Sequence, residues 1–139
     1  MQYIKAFAAG FVATLIFHQG VYTLFYLGDP SLPAPYNMTV NGVGIPAIIS
    51  TAFWAGLWGI LAWLLIRGLV GVRYWLTAIV FGALGPTAVY LFAVRPLKGE
   101  SFAADWSPVI IIAGLILNAA WGFGVALIMW WIERRSVAG

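Results

Sequence analysis

Apolar positions along this chain fall into four blocks, roughly 4–27, 47–66, 74–94 and 109–132, with no charged residue deeper in any of them than Lys5. Each block holds 20 or more residues. At a rise of about 1.5 Å per residue, each is long enough as a helix to cross a hydrocarbon core of about 30 Å. The pattern predicts an all-α integral membrane protein: four transmembrane helices in an antiparallel bundle, forming one membrane domain over 1–139. The first block runs longer than a secretory signal core, so it is expected to remain as the first spanning helix.

Polar residues and helix breakers mark the connections. The segment 28–46 carries Pro30, Pro33, Pro35 and Pro46 with Gly28, Gly42 and Gly44, and is expected to be an irregular outer loop. Its apolar Tyr36, Met38, Val40, Val43 and Ile45 suit a segment packed across the outer surface of the bundle, or a cap over an outward-facing cavity. Segment 67–73 is a tight turn with Gly68, Gly71, Arg67 and Arg73, and 95–108 is a second outer loop in which Pro96 is expected to stop the third helix. Ser107-Pro108 suits a helix start, serine capping and proline taking the first position.

Charge sets the orientation. Lys5, Arg67, Arg73, Arg134 and Arg135 fall on one side, and only Arg95 and Lys98 on the other, beside Asp29, Glu100 and Asp105. The excess of Lys and Arg predicts that both termini are cytoplasmic, most simply in a bacterial inner membrane. The net charge of +3 therefore points to lipid headgroups and no nucleic acid. Charged residues make up only 8% of the chain, where a soluble domain carries about a quarter. Cysteine is absent, which excludes disulfides, thiol chemistry and cysteine-zinc sites.

Small residues recur at four-residue spacing: Thr51, Ala55 and Gly59; Ala78, Gly82 and Pro86; Gly114, Asn118 and Gly122. Such faces let helix backbones approach closely, so they are expected either to close the bundle or to form a seam between copies. Trp58-Gly59 resembles Trp121-Gly122, and each pair lies about a dozen residues after a proline. Two hairpins in the same sense, a parallel repeat, would place them alike.

The candidate chemistry is sparse. Measured from the outer helix ends, His18 and Asn118 lie about 13 Å deep, Thr87 about 10 Å, and Ser50 and Thr51 about 6 Å. With Gln19 beside His18, the polar groups of all four helices share the outer half of the membrane. They are expected to face inward and meet, with His18 and Asn118 as the central pair. The stripe Gly10, Thr14, His18 and Tyr22 would meet the face Gly114, Asn118 and Gly122. This layer is either structural or an outward-opening polar site.

No carboxylate lies within a block, and a lone histidine builds neither a triad nor a metal site within one chain, so no enzyme is expected. No cofactor is expected either; haem or chlorin ligation by His18 is the weaker alternative, and would need a second ligand from another subunit. Two function classes fit. One is a non-catalytic accessory or assembly subunit acting through helix packing, with other membrane subunits, itself and lipid as partners. The other is a small oligomeric uncoupled channel or transporter.

Overall fold

The computed structural model describes the backbone of residues 1–138 and the side chains of residues 1–135. Four helices are long and apolar enough to cross a membrane: α1 Gln2–Gly28, α2 Ala47–Ile66, α3 Gly71–Leu97 and α4 Pro108–Ala138. Among the described residues no strand forms; a single bridge joins Val40 to Pro46 in the loop before α2.

Three of the helices are longer than their apolar blocks. α3 begins at Gly71, whose positive φ of 59° turns the chain directly out of the Arg67–Val70 connection, so the loop is four residues and Arg73 lies in the first turn. α3 also passes Pro96. A π turn over Tyr90–Val94 resets the hydrogen-bond pattern just before it, and the proline falls at the start of the helical segment Arg95–Leu97 that follows, a first-turn position that proline tolerates. α4 starts at Pro108 as expected.

Two glycine crossings hold the bundle together. On α1 and α2, a Cβ built on Gly59 would stand 2.6 Å from the carbonyl oxygen of Ala6 and 2.8 Å from Gly10 Cα; Gly10 in turn lies against Ala55 and Gly56. On α3 and α4, Gly122 lies against the carbonyl of Ala78 and Gly82 Cα, and Gly82 against the Asn118 carbonyl. The pairs repeat each other position for position: Ala6, Gly10, Ala55 and Gly59 in the first, Ala78, Gly82, Asn118 and Gly122 in the second, with Asn118 where the first has Ala55. The repeat hinted at by the two Trp-Gly pairs is thus a repeat of packing.

This arrangement corrects one expectation. The Gly10 stripe of α1 does not meet the Gly114–Asn118–Gly122 face; it packs on α2, and that face of α4 packs on α3. The reason is steric. Lipid is as apolar as any side chain, so close backbone approach decides which helices pair, and Gly10 with Gly59 allows the closest approach on α1.

The core is made of small α1 residues under large aromatic ones. Ala6, Ala9 and Ala13 lie buried with Trp63, Trp121, Val125 and Met129. Trp121 donates its indole N–H to the Gly10 carbonyl at 3.0 Å, as a buried indole in a dry interior requires. Tyr74 likewise donates to the Ala126 carbonyl at 2.8 Å.

Burial is confined to one half of two helices. Gln19–Gly28 of α1 contains no buried residue, and neither does 108–120 of α4. The register of α1 on α2 explains the first. Ala6 meets Gly59 and Gly10 meets Ala55, so Ala47, where α2 begins, stands level with His18. Beyond His18, α1 has no α2 beside it.

Candidate functional site

The loop between α1 and α2 takes the place that α2 leaves empty. α1 carries a π turn over Thr14–His18. A π turn widens the helix and leaves a carbonyl without its usual partner, and such turns often mark functional positions. Here Tyr36 of the loop donates its hydroxyl to the Leu15 carbonyl at 2.8 Å. The Tyr36 N–H donates to Gln19 Oε1 at 2.9 Å, and Tyr22 donates its hydroxyl to the Pro33 carbonyl at 2.8 Å. Three hydrogen bonds therefore strap the loop along α1. Tyr36 holds this position at a φ of 54°, a left-handed conformation that a side chain adopts only when its surroundings fix it.

The Tyr36 contact also fixes the imidazole. Because Gln19 Oε1 accepts from the Tyr36 N–H, Gln19 Nε2 is the atom that faces His18 Nδ1, at 3.4 Å. Nδ1 then acts as acceptor, and a neutral imidazole carries its proton on Nε2. A metal-ligating histidine normally needs the reverse, with one ring nitrogen donating to a carbonyl or carboxylate and the other bare.

The remaining polar residues divide. Asn118 donates through Nδ2 to Thr87 Oγ1 at 2.9 Å, and Thr87 donates to the Gly114 carbonyl at 3.2 Å. Thr87 is buried, and this chain of bonds ties α4 to α3 one turn beyond the Gly82 crossing. Thr51 is exposed and bonds back to its own helix at the Ala47 carbonyl, 3.0 Å away. The single polar layer expected from the sequence is therefore two separate pairs, Thr87 with Asn118 and His18 with Gln19, and the expected His18–Asn118 hydrogen bond does not form. Azimuth was not legible from residue counting: the π turn rotates everything beyond Thr14 relative to a regular helix.

Of the expected packing glycines, Gly59, Gly82 and Gly122 lie at the two crossings, and Gly114 meets only the Thr87 side chain, with Thr87 Cγ2 3.3 Å from an added Cβ. Sequence reasoning missed two contacts. Trp63 of α2 donates its indole N–H to Glu133 Oε1 of α4 at 3.2 Å, just past the last apolar block. A left-handed turn over Ala103, Ala104, Asp105 and Trp106, with φ between 50° and 57°, sits in the loop before α4. Left-handed backbone costs about 1–2 kcal/mol per residue. The two alanines are buried, and Phe92, Phe102 and Trp106 lie in mutual ring contact. No residue-type pattern announces that turn.

Among the described residues no group of three His, Asp or Glu side chains could hold a metal ion. Comparison with known protein families, curated proteins and solved structures finds no match.

Proposed function

We propose that this chain is a non-catalytic accessory or assembly subunit of a membrane complex, built as an antiparallel bundle with both termini on the cytoplasmic face of a bacterial inner membrane. The observation that carries the reading is the unequal burial. The glycine faces of the bundle are occupied within the chain, yet the outer halves of α1 and α4 contain no buried residue. Leu24 is 66% exposed and Ile112 55% exposed there, apolar surface that a neighbouring membrane segment would cover.

The order of contacts supports antiparallel helices: Tyr3 with Trp63, Ala6 with Gly59 and Gly10 with Ala55 run oppositely along α1 and α2. Arg67, Arg73, Arg134 and Arg135 gather at the end of the bundle that carries Trp75, Trp130 and Trp131, aromatic residues suited to an interface, which supports the cytoplasmic assignment.

The absence of cysteine makes the test direct. Single Leu24→Cys and Ile112→Cys variants, crosslinked in native membranes and then purified gently for native mass spectrometry, should capture one defined partner subunit. Extraction as a homogeneous oligomer of this chain alone, with no crosslink to another protein, would sink the reading.

A second reading, a small oligomeric uncoupled channel or transporter, is favoured by one observation. His18 Nε2–H and Asn118 Oδ1 have no hydrogen-bond partner among the described residues, so a donor and an acceptor remain for a polar solute. It requires that His18→Ala abolish flux in vesicles while leaving assembly intact.

A further inference from the structure

We infer that the segment between α1 and α2 re-enters the membrane span as a hairpin and lines a water-filled notch reaching the level of the His18–Gln19 pair. The chain leaves α1 at Gly28 and runs back down the helix. Tyr22 holds it at Pro33, Gln19 holds it at Tyr36, and the Tyr36 hydroxyl reaches the Leu15 carbonyl, each partner lower on α1 than the last. At about 1.5 Å per residue, Gln19 stands about 14 Å below Gly28 and Leu15 about 20 Å below it. α2 begins at that depth: the Ala47 N–H donates to the Thr39 carbonyl and the Ile48 N–H to the Asn37 carbonyl, both at 2.9 Å.

The neighbouring helix α4 rises as far as α1. An added Cβ on Gly124 would stand 3.1 Å from the Ala13 Cβ, so these two residues are level. From there Gly28 is fifteen residues up α1 and Pro108 sixteen residues up α4. Neither helix carries Asp, Glu, Lys or Arg over that height, and Leu24 and Ile112 are 66% and 55% exposed on it. The base of the hairpin thus lies well below two helix ends that present apolar surface. It sits there without burying a charge, because no charged residue occurs between Asp29 and Arg67.

Its backbone is not that of a lipid-facing segment. Among the described residues the N–H groups of Met38, Val40 and Gly42 have no hydrogen-bond partner, and all three residues are exposed. Irregular backbone at membrane depth survives only against protein or water, because lipid offers no acceptor. The segment starts beside Asp29, an exposed carboxylate that belongs in water, so water has a way in along the chain. The hairpin also has a side for each solvent. Val40 bridges to Pro46, and side chains alternate along a strand, so Thr39, Asn41 and Ile45 lie on the face opposite Val40. Val40 and Pro46 suit lipid, and Thr39 and Asn41 give the notch its polar groups.

The notch is compatible with either proposed function and is tested on the chain alone. Because cysteine is absent, single Thr39→Cys, Leu24→Cys, Ile112→Cys and Val70→Cys variants can each carry one nitroxide. The purified full chain in phosphatidylcholine liposomes is then measured by electron paramagnetic resonance power saturation, with oxygen as the lipid-soluble relaxer and a nickel chelate as the water-soluble one. Nickel should relax the Thr39 label as it does Val70 in the α2–α3 turn, and about fivefold more than Leu24 and Ile112, although those two stand nearer the helix ends. Circular dichroism checks that each variant folds. Nickel relaxation at Thr39 as weak as at Leu24 would place the hairpin in lipid or under protein, and would overturn the notch. Strong nickel relaxation at Leu24 and Ile112 as well would put the bilayer edge below the hairpin, make it a surface loop, and overturn the inference too.

Discussion

Trp121 reaches across the bundle to the backbone carbonyl of Gly10, 3.0 Å from its indole nitrogen. The same carbonyl accepts the Thr14 hydroxyl at 3.1 Å and the Thr14 N–H. A carbonyl has two lone pairs, so three donors crowd one acceptor immediately before the π turn begins at Thr14. The crossing of α1 on α2, the core indole of α4 and the start of the irregular helix thus meet at one residue.

Trp121→Phe keeps most of the buried volume and removes one donor. Because Gly10 retains Thr14 as a partner, no acceptor is orphaned, and the loss should be about 1 kcal/mol. Trp121→Ala also empties the core beneath α1 and should cost about 3–5 kcal/mol. Reversible unfolding in sodium dodecyl sulfate mixed micelles, followed by circular dichroism, would measure both; equal losses would mean that the indole contributes only its hydrogen bond.

The glycines divide by what a methyl group would meet. At Gly59 an added Cβ strikes the Ala6 carbonyl and Gly10 Cα, both backbone, which cannot step aside. Gly59→Ala should therefore destabilise by about 1–3 kcal/mol, and Gly122→Ala should behave alike because its crossing is built the same way. At Gly20 nothing lies within 4 Å, so Gly20→Ala should be neutral or slightly stabilising. The same unfolding titration separates them, and a Gly59→Ala midpoint equal to the parent's would contradict the crossing.

Tyr36→Phe removes the hydroxyl that satisfies Leu15 and leaves the rest of the loop in place. The strap should open more often by about 1 kcal/mol, which is roughly a fivefold faster amide hydrogen exchange over residues 33–41. Exchange in α2 should not change. Unaltered exchange in the loop would show that the proline-rich chain holds itself without the latch.

Much of the fold was legible because membrane solvation leaves few alternatives: four apolar blocks without interior charge must be helices, since backbone groups in lipid have to be satisfied within the segment. Helix pairing was only half legible. Gly59, Gly82 and Gly122 announced close approach, but not toward which helix, because glycine carries no sign of its partner. The strap was illegible for a different reason. It depends on a π turn, and nothing in Thr14-Leu15-Ile16-Phe17-His18 marks one. His18 and Asn118 fall apart because α1 pairs with α2 and α4 with α3, and the loop bonds to Leu15, Gln19 and Tyr22 of α1.

Thr87 and Asn118 are the pair on which the structural and transport readings disagree. Their hydrogen bond measures 2.9 Å, and Thr87 passes it on to the Gly114 carbonyl. If the pair serves to join α3 to α4, a double-mutant cycle of Thr87→Val and Asn118→Leu should show a coupling of about 0.6 kcal/mol, the size found for hydrogen bonds between membrane helices. Each single change should then cost stability, and the double variant should lose less than the two losses combined, because the second change removes a group already without its partner. Assembly and any flux should follow stability alone. If the pair instead serves a solute, Asn118→Leu should abolish flux at full assembly, and the coupling should fall to zero when solute saturates the site. The cycle measured with and without candidate solute therefore assigns this half of the polar residues to one role.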